Sequence, residues 1–122
     1  MGFHPLNLAL RFILELSALS AIGFWGWHQT DSWFRYVLAV GIPIGLAIIW
    51  GVFAVPDDKS RSGAAPIPTA GFIRLFIELG LFAFATWSLY NSGFVRVAWV
   101  LAIITFFHYL ISYDRIKWLL KN

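Results

Sequence analysis

The chain reads as four long apolar runs separated by polar breaks. Leu6 to Trp27, Trp33 to Val55, Ala70 to Tyr90 and Phe94 to Ser112 each approach the roughly 20 mostly apolar residues that a helix needs to cross about 30 Å of hydrocarbon. "HQTDS" (His28 to Ser32) and "NSG" (Asn91 to Gly93) are short enough to be tight turns between antiparallel neighbouring helices. "PDDKSRSGAAPIPT", residues 56–69, differs from both. Its prolines, Gly63 and mixed charges forbid continuous helix and predict a solvated loop, with Asp57 and Asp58 as a solvated charge run. The pattern is hairpin, loop, hairpin. It predicts one integral domain over residues 1–122, an all-α membrane protein of four transmembrane helices.

Composition strengthens that reading. With 60% hydrophobic and 12% charged residues, and a mean hydropathy of +0.75, too few polar side chains exist to clothe a soluble core. The first run does not resemble a cleavable signal peptide: it is too long, Glu15 interrupts it, and it ends in the bulky "FWGWH" without a small-residue cleavage site. It is expected to remain in the mature protein. The chain has no cysteine, which excludes disulfides, thiol redox chemistry and cysteine-ligated metals.

Charge adds orientation. The net charge is +3, but the basic residues are divided among helix ends and never form an exposed basic face, so no nucleic-acid partner is expected. Arg11, Lys59, Arg61, Arg74, Arg115, Lys117 and Lys121 fall on one side of the predicted spans, and Arg35 and Arg96 on the other. This asymmetry predicts that both termini and the long loop are cytoplasmic. Trp25, Trp27, Trp33, Trp87 and Tyr90 gather at the opposite interface, with Trp50 and Trp118 near the inner one.

Two charged pairs stand inside the apolar runs. "LRFILEL" carries Arg11 and Glu15, and "IRLFIEL" carries Arg74 and Glu78, 63 positions later. "WFRYVLA" and "FVRVAWV" extend the parallel and align Arg35 with Arg96 after a two-residue slip. Because each unit contains two spans, both copies enter the membrane from the same face. The expectation is two pseudo-repeated hairpins, a parallel 2+2 repeat about an axis along the membrane normal.

Residues four apart share a helix face, so each arginine can reach its own glutamate. Both carboxylates lie roughly 12 to 14 Å from the inner helix ends. A charge at such depth costs about 2.5 to 3.5 kcal/mol even on lenient insertion scales, so the pairs must turn inward. On a structural reading they form a neutral square, in which Arg11 also meets Glu78 and Arg74 also meets Glu15. On a functional reading they line a cytoplasm-facing pocket that binds a ligand or titrates. His108 lies at similar depth in the fourth run, sharing a face with Thr105 and Ser112 and flanked by Tyr109. With Asn7 these residues would extend the polar cluster. A pKa near neutrality would suit His108 to a proton-linked step, while the plainer role is a hydrogen bond to a neighbour.

"GIPIG" in the second run combines a predicted bend at Pro43 with a small-residue face, Gly41 and Gly45, fit for close helix contact within the bundle or between the protomers of a homodimer. No nucleophile elbow, phosphate-cradling loop or His-Glu-x-x-His is present, and His4, His28 and His108 lie at different depths. No enzyme activity, cofactor or metal site is expected.

"NLALRFILELSAL", "FWGW" and "WGVFAVP" resemble the YrdB family of small bacterial membrane proteins. The resemblance implies four helices in a bacterial cytoplasmic membrane and transfers no site. The chain is also similar to small multidrug-resistance transporters in its four spans and in a glutamate, Glu15, in the first. It departs from them in pairing that glutamate with Arg11, in its second pair and in its long loop. Two classes of function follow: a small-molecule or ion binding or transport protein using Arg11, Glu15, Arg74, Glu78 and His108, or a non-catalytic membrane scaffold or subunit in which these residues hold the bundle together.

Overall fold

A computed structural model describes residues 4–58 and 65–122. Lys59, Arg61 and Gly63, which the sequence places in the basic loop, lie outside the described residues. Helix α1 spans Pro5–Trp27. Its start follows from local chemistry: Pro5 stands in the first turn, where an N–H would have no helical partner, and the His4 Nδ1 accepts the Leu6 N–H at 3.2 Å.

The second run is helical over Phe34–Val52 but not uniform. It comprises α2 (Phe34–Tyr36), a π-helical turn (Val37–Gly41) and α3 (Ile42–Val52). Pro43 accounts for the break, because it has no N–H to give the carbonyl four residues back. That carbonyl, of Ala39, lies against Gly23 of α1, where a Cβ would come within 2.9 Å of its oxygen. The Leu38 carbonyl approaches Gly26 in the same way, at 2.7 Å from the Cβ position. Backbone-to-backbone packing of this hairpin therefore depends on glycines of α1. Within the chain "GIPIG" does not make the contact its small residues permit: Gly45 has nothing within 4 Å of a Cβ position, and Gly41 meets only Val37 of its own run.

Val55 precedes Pro56 and is biased toward extended backbone, so the second run stops at Val52, three residues short of the predicted end. Phe53–Ala54 pairs in parallel with Ile67–Pro68, and the Thr69 N–H donates to the Ala54 carbonyl at 2.9 Å. Between them Pro56 and Asp57 turn the chain, Asp57 adopting φ +65°. Helix α4 (Gly71–Asn91) ends in a Schellman motif: Gly93 has φ +90°, the Phe94 N–H donates to the Leu89 carbonyl at 2.9 Å and the Gly93 N–H to the Tyr90 carbonyl at 3.1 Å. Helix α5 (Val95–Ile111) returns, and α6 (Tyr113–Lys121) departs from it at 69°.

The core lies between α1 and α4. Leu14, Ala18 and Ile22 meet Leu81, Phe82 and Ala85, with Ala98 and Leu101 of α5 closing one side. The second run packs on α1 and α5 on α4, whereas α2, the π-turn and α3 bury none of their residues. Val40, Ile48, Phe76, Trp99 and Phe106 are among many large apolar side chains facing outward. Three helices are long and apolar enough to cross a membrane, and the bent α5–α6 pair would make a fourth.

Candidate functional site: a buried charge network

Helical spacing does the first part of the assembly. Arg11 Nε donates to Glu15 Oε1 at 3.1 Å within α1, and Arg74 Nε to Glu78 Oε2 at 2.9 Å within α4. Packing of α1 on α4 does the second, bringing Arg11 Nη2 to 3.3 Å from Glu78 Oε2.

The remaining partners come from parts of the chain that the paired motif does not contain. Arg115 of α6 clamps Glu78 with both terminal nitrogens, Nη1 to Oε1 at 2.8 Å and Nη2 to Oε2 at 2.7 Å. Tyr109 of α5 donates its hydroxyl to Glu78 Oε1 at 2.8 Å. Glu78, fully buried, thus accepts five hydrogen bonds from four side chains. Arg115 Nη2 also donates to Asp58 Oδ2 at 2.9 Å. The turn at Pro56–Asp57 is what delivers that carboxylate. Burial by itself would lower the pKa of Arg115, but the hydrogen bonds and charges of Glu78 and Asp58 outweigh it and raise the pKa above the ordinary arginine value. Arg11, Arg74 and Arg115 balance Glu15, Glu78 and Asp58, three charges against three, as a low-dielectric site requires.

Two expectations need correction. The square does not close symmetrically, since no Arg74–Glu15 ion pair forms among the described residues. Arg74 instead turns Nη1 to the carbonyls of Trp50 and Phe53, the latter at 2.7 Å, where the end of α3 leaves carbonyls without helical partners. The Trp50 ring lies beneath both guanidiniums, 4.6 Å from Arg74 and 5.5 Å from Arg11. Asp58, in turn, is not solvated. It is buried against Arg115.

His108 belongs to an adjoining neutral chain. Its Nδ1 lies 3.0 Å from Asn7 Oδ1, and Asn7 Nδ2 donates to Ser112 Oγ at 2.7 Å. The amide orientation that serves both contacts makes Nδ1 the protonated nitrogen of His108. Thr105 shares the face, but its buried Oγ1 has no partner. A cavity of about 150 Å³ opens beside Glu15, with Phe12, Ala47, Trp50 and Leu81 in its walls. Among the described residues no three His, Asp or Glu side chains converge on a point where a metal ion could sit.

Sequence reasoning missed Arg115 and Asp58, and gave Tyr109 only a flanking place. A signal for Arg115 existed: Arg115 and Leu119, one turn apart in a short amphipathic stretch, are the two residues that α6 buries.

The family model described as "Protein of unknown function (DUF2568)" matches residues 9–106. A relative from Bacillus subtilis (strain 168), described as "Uncharacterized protein YrdB", is 47% identical over 116 residues, covering 95% of this chain and 94% of its own. No solved structure matches. The matched span takes in both Arg-x-x-x-Glu turns and most of α5, and the chain belongs to the DUF2568 family, with the YrdB protein as a relative.

Proposed function

We propose that this protein is a four-span integral protein of the bacterial cytoplasmic membrane, with its termini and long loop cytoplasmic and its hairpins arranged as a parallel 2+2 repeat. We further propose that it acts without catalysis, as a membrane scaffold or subunit whose Arg/Glu cluster locks the inner end of the bundle. One observation carries the structural reading of the cluster: every acceptor direction of Glu78 is taken by an internal donor. A carboxylate so saturated has no lone pair to offer a cation or a shuttled proton. The outward-facing apolar side chains supply a lipid-facing surface, and the bare face of Gly41 and Gly45 is where a partner helix would fit, that of a second copy in a homodimer included.

A second reading, binding or transport of a small cation, is favoured by Glu15. Its side chain is 20% exposed, pairs with Arg11 and borders the 150 Å³ cavity. One measurement separates the two. The protein purified in micelles is screened by thermal shift against small organic and inorganic cations. The scaffold reading expects no midpoint shift that depends on Glu15 and a large loss of midpoint in Glu78→Gln. A cation that stabilises the wild type but not Glu15→Gln would establish the second reading. Topology is tested separately with Gly63→Cys in this cysteine-free chain: labelling in intact cells by an impermeant reagent would overturn the cytoplasmic loop.

A further inference from the structure

The elbow between α5 and α6 carries a feature that the scaffold reading does not use. A cavity of about 220 Å³ fills it, walled by Phe106, Tyr109, Leu110, Tyr113 and Ile116. Phe106 and Tyr109 also wall a larger apolar groove of about 550 Å³ that runs between α4 and α5 as far as Ala98 and Tyr90. The two spaces follow one another along α5. From Ala98 to Tyr109 the groove covers about 16 Å of helix, close to the depth of one leaflet of a 30 Å hydrocarbon core.

On the outer face of α6 two lysines, Lys117 and Lys121, outnumber one acid, Asp114, which shares that face one turn before Lys117. Lys117 Nζ lies 4.4 Å from the ring of Tyr113, a wall of the cavity, and the exposed Lys121 follows one turn later. Arg115, the other cation of α6, is turned inward and held by Glu78 and Asp58, so it fixes the elbow without serving its outer side. Leu120 and Tyr113 remain exposed on the same helix, and the 69° bend lays this amphipathic segment across the end of the bundle.

We propose that the α5–α6 elbow is a binding site for one anionic phospholipid, with an acyl chain in the elbow and the α4–α5 groove and its phosphate at Lys117 and Lys121. The inference rests on the membrane reading. An apolar channel of this length excludes free phosphate as the natural occupant, and the net positive charge left by Lys117 and Lys121 over Asp114, beside an aromatic wall, favours an anionic over a zwitterionic headgroup.

The full chain is reconstituted in nanodiscs of phosphatidylcholine with one-fifth phosphatidylglycerol, released, and examined by native mass spectrometry for retained lipid. Wild type should retain phosphatidylglycerol in preference to phosphatidylcholine. Lys117→Glu with Lys121→Glu should lower that preference on the order of ten-fold, and Lys117→Gln with Lys121→Gln should lower it less. Leu110→Trp, which fills the elbow from an exposed position, should reduce retention of both lipids. Millimolar inorganic phosphate should not compete. Equal retention of the two lipids by wild type, an unchanged preference in a lysine variant with wild-type circular dichroism, or displacement by inorganic phosphate would each overturn the site. Release of the protein from cell membranes by alkaline carbonate would overturn the membrane reading itself, which keeps the two failures distinguishable.

Discussion

The turn from Arg11 to Glu15 and the turn from Arg74 to Glu78 have the same spacing, the same apolar filling and the same helix-internal ion pair, yet they end in different electrostatic roles. Glu78 is sealed and accepts from four side chains, while Glu15 is 20% exposed and is held by Arg11. The difference arises outside the motif. Helix α4 is flanked by α5, α6 and the turn that carries Asp58, which supply Tyr109 and Arg115. Helix α1 is flanked by α3, which offers Ala47 and the Trp50 ring to the side where Glu15 lies. A local repeat fixes the pair, and tertiary neighbours decide whether it becomes a hub or an edge.

The comparison breaks most visibly at Glu78. Glu78→Gln leaves three guanidiniums facing an amide that accepts through one oxygen, and should destabilise the protein by about 3 to 5 kcal/mol. Equilibrium unfolding in micelles measures this. A loss below about 1 kcal/mol would mean that the arginines find other acceptors and that the hub is not where the stability lies.

Gly71→Ala attacks the same hub from a distance. A Cβ at Gly71 would lie 1.6 Å from the Leu119 carbonyl oxygen, a backbone atom that cannot swing aside, so α6 must move. Overpacking of this kind costs about 1 to 3 kcal/mol. Because Arg115 rides on α6, faster amide exchange should appear in Tyr113–Lys121. Unchanged protection in α6 would show that its seat on α4 does not hold Arg115 in place.

A double-mutant cycle on Arg115→Met and Asp58→Asn grades the outer rim of the network. The pair meets at 2.9 Å with both side chains buried, so a coupling of about 0.5 to 3 kcal/mol is expected. Strict additivity would reduce Asp58 to a bystander. The same cycle on Arg11 and Glu78, joined by one hydrogen bond at 3.3 Å, should give a smaller coupling.

Much of this was legible in the chain because the length of the apolar runs and the 3.6-residue period are strong constraints on where helices start and stop. The predicted runs 6–27, 33–55, 70–90 and 94–112 differ from the observed helices by three residues or fewer at any end, and the "NSG" turn formed around the one residue, Gly93, free to take positive φ. Arg11, Arg74 and Glu78 turn inward and are buried as expected, while Glu15 stays 20% exposed. What was not legible is long-range and directional. Arg115 and Asp58 lie 57 positions apart, outside the predicted spans, and each has the local composition of a solvated residue. Self-neutrality of the four predicted charges also hid the third pair, since a balanced square asks for nothing more. Pro43 predicted a bend, and what stands before it is a π-helical turn, Val37–Gly41, within one helical run; which glycines receive the displaced carbonyl depends on the partner helix and not on the "GIPIG" run itself.

The smallest expected effect sharpens the comparison best. Glu15→Gln removes a carboxylate that is 20% exposed and engages Arg11, and Arg11 keeps its bond to Glu78. The loss should stay within the 0 to 1 kcal/mol of a partly screened pair, roughly. Arg11→Gln should cost more than Glu15→Gln, because it also withdraws a donor from the sealed carboxylate. The ranking Glu78 above Arg11 above Glu15, read from unfolding midpoints in one detergent, is what distinct neighbours require of two like motifs. Equal losses at Glu15 and Glu78 would mean instead that depth in the bundle, common to both, governs their energetics and that the partners supplied by α5, α6 and Asp58 add little.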